Sequence, residues 1–406
     1  MDKFIELDVS FFDPKFTLSP EEYLAELYPR KDILGFRSEG MNFVFRFDEA
    51  RAVMFNRECA REPLANPEIA EREARLAAAY PNRAKNFQLV YNYGTPNLQL
   101  KKLLVTYIGQ IADAANFEGT HAVYRQLSSG GRLDNYIDDV CTLPLRIMMD
   151  SCGLPYTEEQ LFKLYRAGFD FLKALENFSD ESLLDDADRA IAYIWDYLEE
   201  VLPGIPSDAP VSRFMAEGAE LGIDRETLLV NVAAFFIVSL SNTAGISSAY
   251  LLRNLVRFPE VRTALSEQPG LLDDDNTIIE FLRRDNHVKS MSRQAHESFE
   301  LNGHAIQKGD SVNIFFPGVN LDPGHWSNPM GIDLSRKFAG PDNIIFGGSM
   351  YLCIGKYLGI AFLRHMTRGF VENLADTARI VDDEIEVDGD WVSERIITRM
   401  PIELDC

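Results

Sequence analysis

The feature that most constrains the fold is a long stretch that predicts one helix from Arg225 to Arg257. Asp224 is a suitable N-cap and Pro259 follows the helix end. At roughly 1.5 Å per residue, such a helix would be about 50 Å long, which is enough to cross a whole domain. Its middle part is apolar on nearly every face, which is typical of a buried helix.

Four polar side chains interrupt this apolar run: Asn231, Ser239, Ser241 and Asn242. A membrane span needs about 20 apolar residues without such interruptions. The stretch therefore predicts a helix buried in a large protein core. No linker rich in Gly, Ser or Pro, no repeat and no low-complexity run divides the 406 residues, so we expect one domain over residues 1–406.

The first residues of the chain bear on its compartment, and its cysteines and histidines bear on disulfide and zinc sites. The first residues lack a cationic region followed by an apolar one, so we expect neither signal peptide nor anchor, and a cytoplasmic protein. The five cysteines show no paired spacing and no CxxC, and the six histidines show no HxH or HExxH. Neither a disulfide framework nor a zinc site is therefore indicated.

One cysteine stands at the end of a glycine-rich loop that leads into an apolar helix. Residues 346–355 read FGGSMYLCIG. A thiolate at Cys353 would face the helix N-terminus, whose dipole stabilises negative charge and lowers a thiol pKa. Gly347, Gly348 and Gly355 would let the backbone lie close to a flat group. The alternative is that Cys353 is a buried small hydrophobic residue.

This loop resembles the cysteine-ligand loop of the cytochrome P450 superfamily, FxxGxxxCxG, in which the cysteine is a ligand of haem iron. Phe346, Cys353 and Gly355 fit the pattern. Ser349 replaces the usual glycine. Tyr351 stands where the family carries His or Arg for a haem propionate, and a phenol donates one hydrogen bond without positive charge.

A second motif lies upstream at the spacing that the family leads one to expect. Glu280 and Arg283 match the ExxR pair, and residues three apart lie on one helix face. Arg293, two turns at Asn302-Gly303 and Lys308-Gly309, and a strand into Asn320 follow in the family's order. The family's third charged residue, an arginine, falls on Gly331. Arg336 and Lys337 are the nearby residues that could substitute for it.

Two further segments match less closely. In the long helix the family carries AGxxT, with an acid before the threonine. Here Thr243 aligns with the threonine and Asn242 with the acid, while Ser239 and Leu240 replace Ala-Gly. A threonine inside a helix also often bonds back to its own backbone. In residues 94–109, Lys102 aligns with a propionate-binding arginine, but Leu98 replaces the family's histidine.

The resemblance implies a mainly α fold with a small β region around a buried haem b. It implies a bacterial-type monooxygenase in which Cys353 binds the iron, Thr243 and Asn242 act in proton delivery, and Glu280 and Arg283 are structural. It also implies a set of haem-binding residues: Cys353, Phe346, Gly347, Gly355, Arg293, Lys102, Tyr351 and Asn343. The first ninety residues match no motif, and we assign them no element.

The resemblance places a substrate pocket on the other side of the haem. Its expected lining residues come from three segments: Phe235, Phe236, Ser239, Val288, Lys289, Met291 and Tyr91. Aromatic residues provide contact area and shape at small entropic cost, which favours a small organic substrate, either aromatic or carboxylate-bearing. Lys289 has two interpretations: its ammonium group reaches solvent or a propionate, or it pairs with a carboxylate of the substrate.

The net charge of −23 argues against nucleic acid and anionic membranes as partners. Positive residues nevertheless gather in two segments that the resemblance places near the thiolate side: Lys101, Lys102, Lys356, Arg364, His365 and Arg368. They form either a solvated helix face or a docking site for an acidic ferredoxin that donates electrons. For the oligomeric state, the sequence favours a monomer.

Two other functions remain open. One is a haem-thiolate enzyme that does not activate dioxygen, but uses peroxide, dehydrates or rearranges its substrate. The amide of Asn242 favours it, because an amide cannot relay a proton as a carboxylic acid does. The other is a P450-like binding or recruitment protein, which the departures at Leu98, Gly331, Ser349 and Tyr351 favour and the retention of Cys353 opposes.

Overall fold

The computed structural model describes residues 4–60, 67–82, 98–128, 131–176, 180, 182–339, 344–348, 352–374 and 377–404. Helices dominate these residues, and a smaller part is β-sheet, as the sequence predicts. The α-helices are α1 Pro14–Leu18, α2 Glu21–Leu24, α3 Phe47–Phe55, α4 Pro67–Ala79, α5 Leu98–Ala114, α6 Glu118–Leu127, α7 Tyr136–Val140, α8 Leu143–Cys152, α9 Glu158–Glu176, α10 Ser182–Val201, α11 Pro210–Glu220, α12 Arg225–Asn231, α13 Ser239–Arg257, α14 Pro259–Glu267, α15 Asp275–Arg284, α16 Phe316–Asn320 and α17 Lys356–Asn373. Short 3-10 helices cover Leu202–Gly204, Pro269–Asp273 and Asp382–Glu384.

Thirteen short strands are described within these ranges. They are β1 Phe4–Glu6, β2 Gly35–Ser38, β3 Met41–Val44, β4 Cys59–Ala60, β5 Arg132–Leu133, β6 Ser290–Ala295, β7 Phe299–Leu301, β8 His304–Ile306, β9 Ser311–Phe315, β10 Ala378–Ile380, β11 Glu386–Asp388, β12 Ile396–Arg399 and β13 Ile402–Leu404. Six of them form one sheet in the order β1-β2-β3-β9-β6-β4. The smaller sheets are β10-β13-β5, β11-β12 and β7-β8.

The chain divides into two compact units, each built from segments that are distant in sequence. The first unit, which we call the sheet unit, contains residues 1–66, 250–353 and 380–400. The second, the helix unit, contains residues 67–249, 354–379 and 401–406. The prediction of a single domain over residues 1–406 stays a prediction.

The core of the sheet unit is a cluster of aromatic rings from the N-terminal segment and β9. Phe11 stacks on Phe43 with ring centroids 4.4 Å apart, and Phe16 stacks on Phe315 at 5.3 Å. These rings are almost fully buried. Since β3 pairs in parallel with β9 through Phe43 and Asn313, the unassigned N-terminal region is an integral part of the six-stranded sheet.

The predicted turns of the sheet unit are confirmed. Asn302 and Gly303 both have positive φ, 48° and 70°, between the antiparallel strands β7 and β8. Two consecutive positive φ values fit the tight turn that an Asn-Gly pair favours. Gly309, with φ 96°, makes the turn before β9. Arg293 lies in β6, opposite Val312 of β9.

In the helix unit, α9 packs along α10, and α17 packs on α5 and α6. The stretch predicted as one α-helix from Arg225 to Arg257 is helical throughout, but Val232–Val238 is a π-helix between α12 and α13. The predicted N-cap is confirmed, because the Asp224 carboxylate accepts a 2.8 Å hydrogen bond from the Thr227 N–H. Within the described residues, no helix is both long and apolar enough to cross a membrane.

Candidate functional site

The cysteine loop turns back on itself, so that its two ends meet. Gly347, with φ 80°, donates its N–H to the Ile344 carbonyl at 2.9 Å, and the Cys353 N–H donates to the Phe346 carbonyl at 2.9 Å. Gly355 is the N-cap of α17, which starts at the next residue. Cys353 therefore lies three residues before the first residue of α17, close to a helix N-terminus as predicted, and its side chain is exposed rather than buried.

The other described cysteines have different surroundings. Cys59, Cys141 and Cys152 are buried. Burial raises the thiol pKa of Cys59 and of Cys141 to about 11, and that of Cys152 well above its usual value. A buried thiol with a raised pKa is a poor source of a thiolate ligand. Of these four cysteines, Cys353 is thus the one whose thiol is accessible.

A buried ion cluster holds the helix that precedes β6. Glu280 and Arg283 of α15 have no exposed side-chain surface and form two hydrogen bonds, Arg283 Nε to Oε2 at 2.7 Å and Nη2 to Oε1 at 2.9 Å. Arg283 also donates to the carbonyl oxygens of Asn320, Pro329 and Gly331. The pair is therefore not a solvated surface contact, but a link between α15 and the loop before the cysteine.

Arg336 supplies the third charged member that the alignment places at Gly331. Its Nε donates to Glu280 Oε2 at 2.9 Å, while its Nη2 donates to the Ser327 carbonyl at 2.8 Å. Lys337 instead pairs with Asp274 at the surface. Of the two residues that could substitute for the arginine missing at Gly331, Arg336 therefore reaches the Glu280 carboxylate and Lys337 does not.

The helix that carries Thr243 has an altered hydrogen-bond pattern before that residue. Ser239 Oγ donates to the Ala234 carbonyl, five residues back, at 2.7 Å, whereas Thr243 Oγ1 donates to the Ser239 carbonyl at 2.8 Å. Phe235 is buried in the π-helical segment. The side chains of Phe236 and Asn242, together with Tyr91, lie outside the described residues, so their predicted roles stay predictions.

Lys289 occupies a place that sequence reasoning missed. Its side chain is only 1% exposed, and its Nζ lies 4.0 Å from the centre of the Phe11 ring. The Nζ also donates to Thr17 Oγ1 and to the Trp391 carbonyl, both at 3.3 Å. The interpretation that this ammonium group reaches solvent is therefore wrong. It lies on the aromatic core of the sheet unit.

The segment around Lys289 is clamped to a C-terminal segment. The Lys289 N–H donates to the Ser393 carbonyl at 2.7 Å, and Val288 forms an antiparallel bridge with Glu394. Because side chains alternate along an extended segment, Val288 faces away from the side of Lys289. Met291, in β6, is half-buried. The two expected pocket residues Val288 and Lys289 thus point in different directions.

A second buried ion cluster, absent from the sequence prediction, lies beside this clamp. Asp285, the C-cap of α15, accepts hydrogen bonds from Arg395 Nη1 at 2.6 Å and from Arg253 Nη1 at 3.3 Å. Arg395 also donates to the carbonyl of Thr17 at 2.6 Å. Burial raises the pKa of Asp285, but the two guanidinium groups outweigh it and hold that pKa below its usual value. No short motif could have indicated a cluster of such widely separated residues.

The remaining expected haem contacts lie in different units. Arg293 is 1% exposed, and its Nη1 donates to the Ser292 carbonyl at 2.9 Å in the sheet unit. Lys102 is exposed near the start of α5 in the helix unit. Tyr351 and Asn343 lie outside the described residues. The haem-binding roles of all four stay predictions.

The basic residues of α5 and α17 belong to two helices that pack on each other. Lys102 is exposed, whereas Arg364 and Arg368 are half-buried. His365 stacks on Phe117 with ring centroids 4.6 Å apart. Burial, followed by the positive charges of its neighbours, lowers the pKa of His365 to about 4. Its inclusion among the positive residues is therefore wrong at neutral pH.

Among the described residues, no group of three or more His, Cys, Asp or Glu side chains could hold a metal ion. The exposed thiol of Cys353 stays the metal ligand that the resemblance predicts. Together with the Glu280 cluster, it agrees with the superfamily that the sequence resembles.

Comparisons with known proteins point the same way. A sequence profile described as Cytochrome P450 matches residues 274–343. Cytochrome p450 CYP199A2 of Rhodopseudomonas palustris is 27% identical over 234 residues, which are 57% of this chain and 54% of that protein. The 20-oxo-5-O-mycaminosyltylactone 23-monooxygenase of Streptomyces fradiae is 22% identical over 56% of this chain and 52% of that protein. The chain spans about half the length of the curated relatives it matches.

The fold is also similar to solved structures. The structure titled "Epothilone B-bound Cytochrome P450epoK" aligns with a TM-score of 0.80 and 18% identity, and the alignment covers 98% of this chain and all of that one. The structure of CalO2 aligns with a TM-score of 0.78 and 20% identity over 98% of this chain and 99% of that one. The similarity of fold thus includes the N-terminal residues that sequence motifs left unassigned.

Proposed function

This chain belongs to the cytochrome P450 superfamily, and on that premise we propose that it is a haem-thiolate monooxygenase acting on a small organic substrate. The observation that carries the proposal is the geometry of the cysteine loop. Its closure through the Cys353 N–H presents an exposed thiol three residues before the first residue of α17.

The residues of the loop fit haem b, the cofactor of the superfamily. A thiolate ligand needs an accessible sulfur, which Cys353 provides and the three buried cysteines do not. Gly347 and Gly348 are buried, and because they have no side chain, the loop backbone can lie close to a flat group. When bound, the haem supplies the oxygen chemistry, and the thiolate increases electron density at the iron.

The chain's own residues would hold this group and its substrate. Cys353 would bind the iron, while Arg293 and Lys102 would pair with propionates as charged donors. Phe346 and Gly355 would shape the loop beneath the ring. Asn343 and Tyr351, if they lie as in the family, would add hydrogen bonds.

On the substrate side, the proposal assigns the lining to Phe235, Phe236, Ser239, Val288, Met291 and Tyr91. Thr243 would keep its hydroxyl near the reacting oxygen, where the hydroxyl can accept a bond from water while it donates to the Ser239 carbonyl. Asn242 would hold a water molecule, since its amide cannot itself relay a proton. Lys289 is left out of this lining, because its ammonium group lies over the Phe11 ring.

Electrons would come from an acidic ferredoxin that docks on α5 and α17. The chain has 63 acidic residues among 406, yet residues 98–112 and 352–371 contain none. Lys101, Lys102, Lys356, Arg364 and Arg368 lie within these two stretches. Two basic stretches without acidic residues in an otherwise acidic protein favour a negatively charged partner.

The docking proposal is tested by the salt dependence of reduction. Exposed charges are screened within about 8 Å at physiological ionic strength, so reduction by an acidic ferredoxin should slow as salt is added. Lys356→Glu or Arg368→Glu should slow reduction and leave substrate binding unchanged. Arg166→Glu, on the exposed side of α9, is the matched control and should have little effect. If the rate of reduction did not change with salt, an acidic ferredoxin would not dock on these basic residues.

A second candidate is a haem-thiolate enzyme that uses peroxide or rearranges its substrate without dioxygen. Asn242 favours it, because well-placed proton delivery contributes roughly 10²- to 10⁴-fold to rate and the family's acid is absent here. In a monooxygenase with poor coupling, Asn242→Asp should raise product per reducing equivalent and lower peroxide release. An enzyme of the second kind should turn over without an electron donor, and Thr243→Ala should then have little effect.

A further inference from the structure

An aromatic ring from outside the cysteine loop lies directly on the loop backbone. A Cβ atom added to Gly348 would lie 2.5 Å from Phe55 Cζ and 3.0 Å from Met54 Sδ. Unlike Gly347, Gly348 does not have a positive φ, so its backbone conformation alone would accept alanine. The close approach of Phe55, and not a strained turn, therefore explains why a residue without a side chain is needed at Gly348.

Phe55 is the last residue of α3, and α3 is held at its start. The Phe47 N–H donates to Asp322 Oδ2 at 2.9 Å, and the Phe47 ring stacks on His325 with ring centroids 3.4 Å apart. These contacts fix the first turn of α3 against the loop that follows α16. The helix can therefore act as a rigid support for its last residue.

The chain after α3 is held as well. The strand β4 pairs with β6 through Cys59 and Ala295, and the His296 N–H donates to the Glu58 carbonyl at 2.6 Å. Phe55 thus projects from an element whose two ends are both attached to the sheet unit. Its ring contacts Gly348 and remains 44% exposed.

We propose that Phe55, with Met54, is a positioning residue that braces the cysteine loop and so keeps the Cys353 sulfur in place for the iron. This inference rests on the proposed haem-thiolate function. The bonds at Gly347 and Cys353 close the loop on either side of Gly348, whereas Phe55 and Met54 support Gly348 from outside it. Functional groups need to be held within about 0.5 Å of their productive position, which rigid neighbours achieve better than a loop alone.

The first test compares two exposed phenylalanines. Phe55→Ala removes the brace, whereas Phe162→Ala removes a ring that is 55% exposed on α9 in the helix unit. The readout is the thiolate-type red-shifted band of the reduced carbon monoxide complex, followed on warming below the unfolding transition. Phe55→Ala should lose this band roughly fivefold faster than wild type, while Phe162→Ala and the conservative Phe55→Leu should resemble wild type.

The second test uses the close contact itself. Gly348→Ala alone should also speed the loss of the band, because its methyl group would press on the Phe55 ring. Combining Gly348→Ala with Phe55→Ala should recover part of the stability of the band, since the second change makes room for the methyl group. Such coupling is expected for residues in contact, whereas substitutions at distant, independent sites have additive effects.

The outcomes separate this proposal from the proposed function. Two results would refute the support by Phe55 and leave the proposed function intact, provided that wild type shows the band. In one, Phe55→Ala loses the band no faster than Phe162→Ala; in the other, the double variant loses it as fast as Gly348→Ala. If haem-loaded wild type shows no thiolate-type band, the proposed function fails and the brace fails with it. Circular dichroism of each variant ensures that loss of the band is compared between folded proteins.

Discussion

Two buried ion clusters belong to the same helix, and each joins one carboxylate to two arginines. Inside α15, Glu280 accepts hydrogen bonds from Arg283 and Arg336. At the end of α15, Asp285 accepts them from Arg253 and Arg395. The first cluster contains a pair three residues apart in sequence, whereas the partners of Asp285 are 32 and 110 residues away.

The difference lies in what each cluster holds. The Glu280 cluster connects α15 to the loop that leads to the cysteine, through the carbonyl groups that Arg283 binds. The Asp285 cluster connects α15 to the N-terminal segment and to residue 395, beside the clamp around Lys289. A cluster with a local pair can be recognised as a motif, but one built from distant residues cannot. Both clusters are buried, although only the first contains a pair that a sequence motif shows.

The largest effect is expected for Glu280→Ala. This carboxylate accepts four hydrogen bonds, from Arg283 twice, from Arg336 and from the Asp333 N–H. Removing one partner of a buried ion pair costs about 3–5 kcal/mol, because the other charges stay buried without compensation. Urea denaturation should show this loss, while Glu267→Ala on the exposed side of α14 should change little. A loss below about 1 kcal/mol would show that the four hydrogen bonds to Glu280 do not together stabilise the fold.

Asp285→Asn should have a smaller effect, about 2–3 kcal/mol, because Arg395 and Arg253 keep backbone carbonyl acceptors. The pKa of Asp285 is held below its usual 3.8. A lowered pKa means that its stabilisation is present at neutral pH and is lost as the pH falls below about 4. The free energy of unfolding should therefore depend less on acid pH in the variant. Equal acid dependence in both proteins would show that Asp285 is not held ionised by these arginines.

A pair of neighbouring residues tests the third member of the Glu280 cluster. Arg336→Met removes a charged hydrogen bond to Glu280 and should cost about 1–3 kcal/mol. Lys337→Met removes an exposed ion pair with Asp274 and should cost at most about 1 kcal/mol. Urea denaturation of both variants makes the comparison. If both variants lost the same free energy of unfolding, Arg336 would not be the third member of the Glu280 cluster.

The smallest effect is expected for Lys289→Met. Its contact with the Phe11 ring contributes about 0.5–2 kcal/mol, part of which methionine replaces by packing. Because the ammonium group lies over the Phe11 ring, we expect the affinity for a ligand that shifts the haem spin state to stay within about twofold of wild type. Val288→Ala, its neighbour on the opposite face, should change that affinity more. The reverse order would place Lys289 in the pocket after all.

Sequence reasoning predicted those parts of the fold that depend on local spacing. The Glu280–Arg283 pair, the Asn302-Gly303 turn, the Asp224 cap and the helix after Cys353 all follow from residues close together in the chain. The π-helix at Val232–Val238 was missed. Apolar periodicity shows that a segment is buried, but when every face is apolar it does not report which carbonyl each N–H reaches.

The remaining misses are contacts between distant segments. The interpretation that Lys289 reaches solvent was wrong because its burial depends on Phe11 and Trp391, which no nearby residue indicates. The sequence did not decide between Arg336 and Lys337, because the distance from Glu280 along the chain is set by loop length and not by a motif. His365 was counted as positive, although burial and the positive charges of its neighbours lower its pKa to about 4. The support that Phe55 gives to Gly348 likewise has no signal in sequence.

The most direct test of the central claim is the spectrum of the reduced carbon monoxide complex in cysteine variants. The claim is that Cys353 alone of the described cysteines provides a thiolate to haem iron. Wild type and the Cys59→Ser, Cys141→Ser and Cys152→Ser variants should show the thiolate-type red-shifted band, while Cys353→His should retain haem and lose that band. Persistence of the band in Cys353→Ser, or its absence from haem-loaded wild type, would contradict the assignment of this chain as a haem-thiolate enzyme.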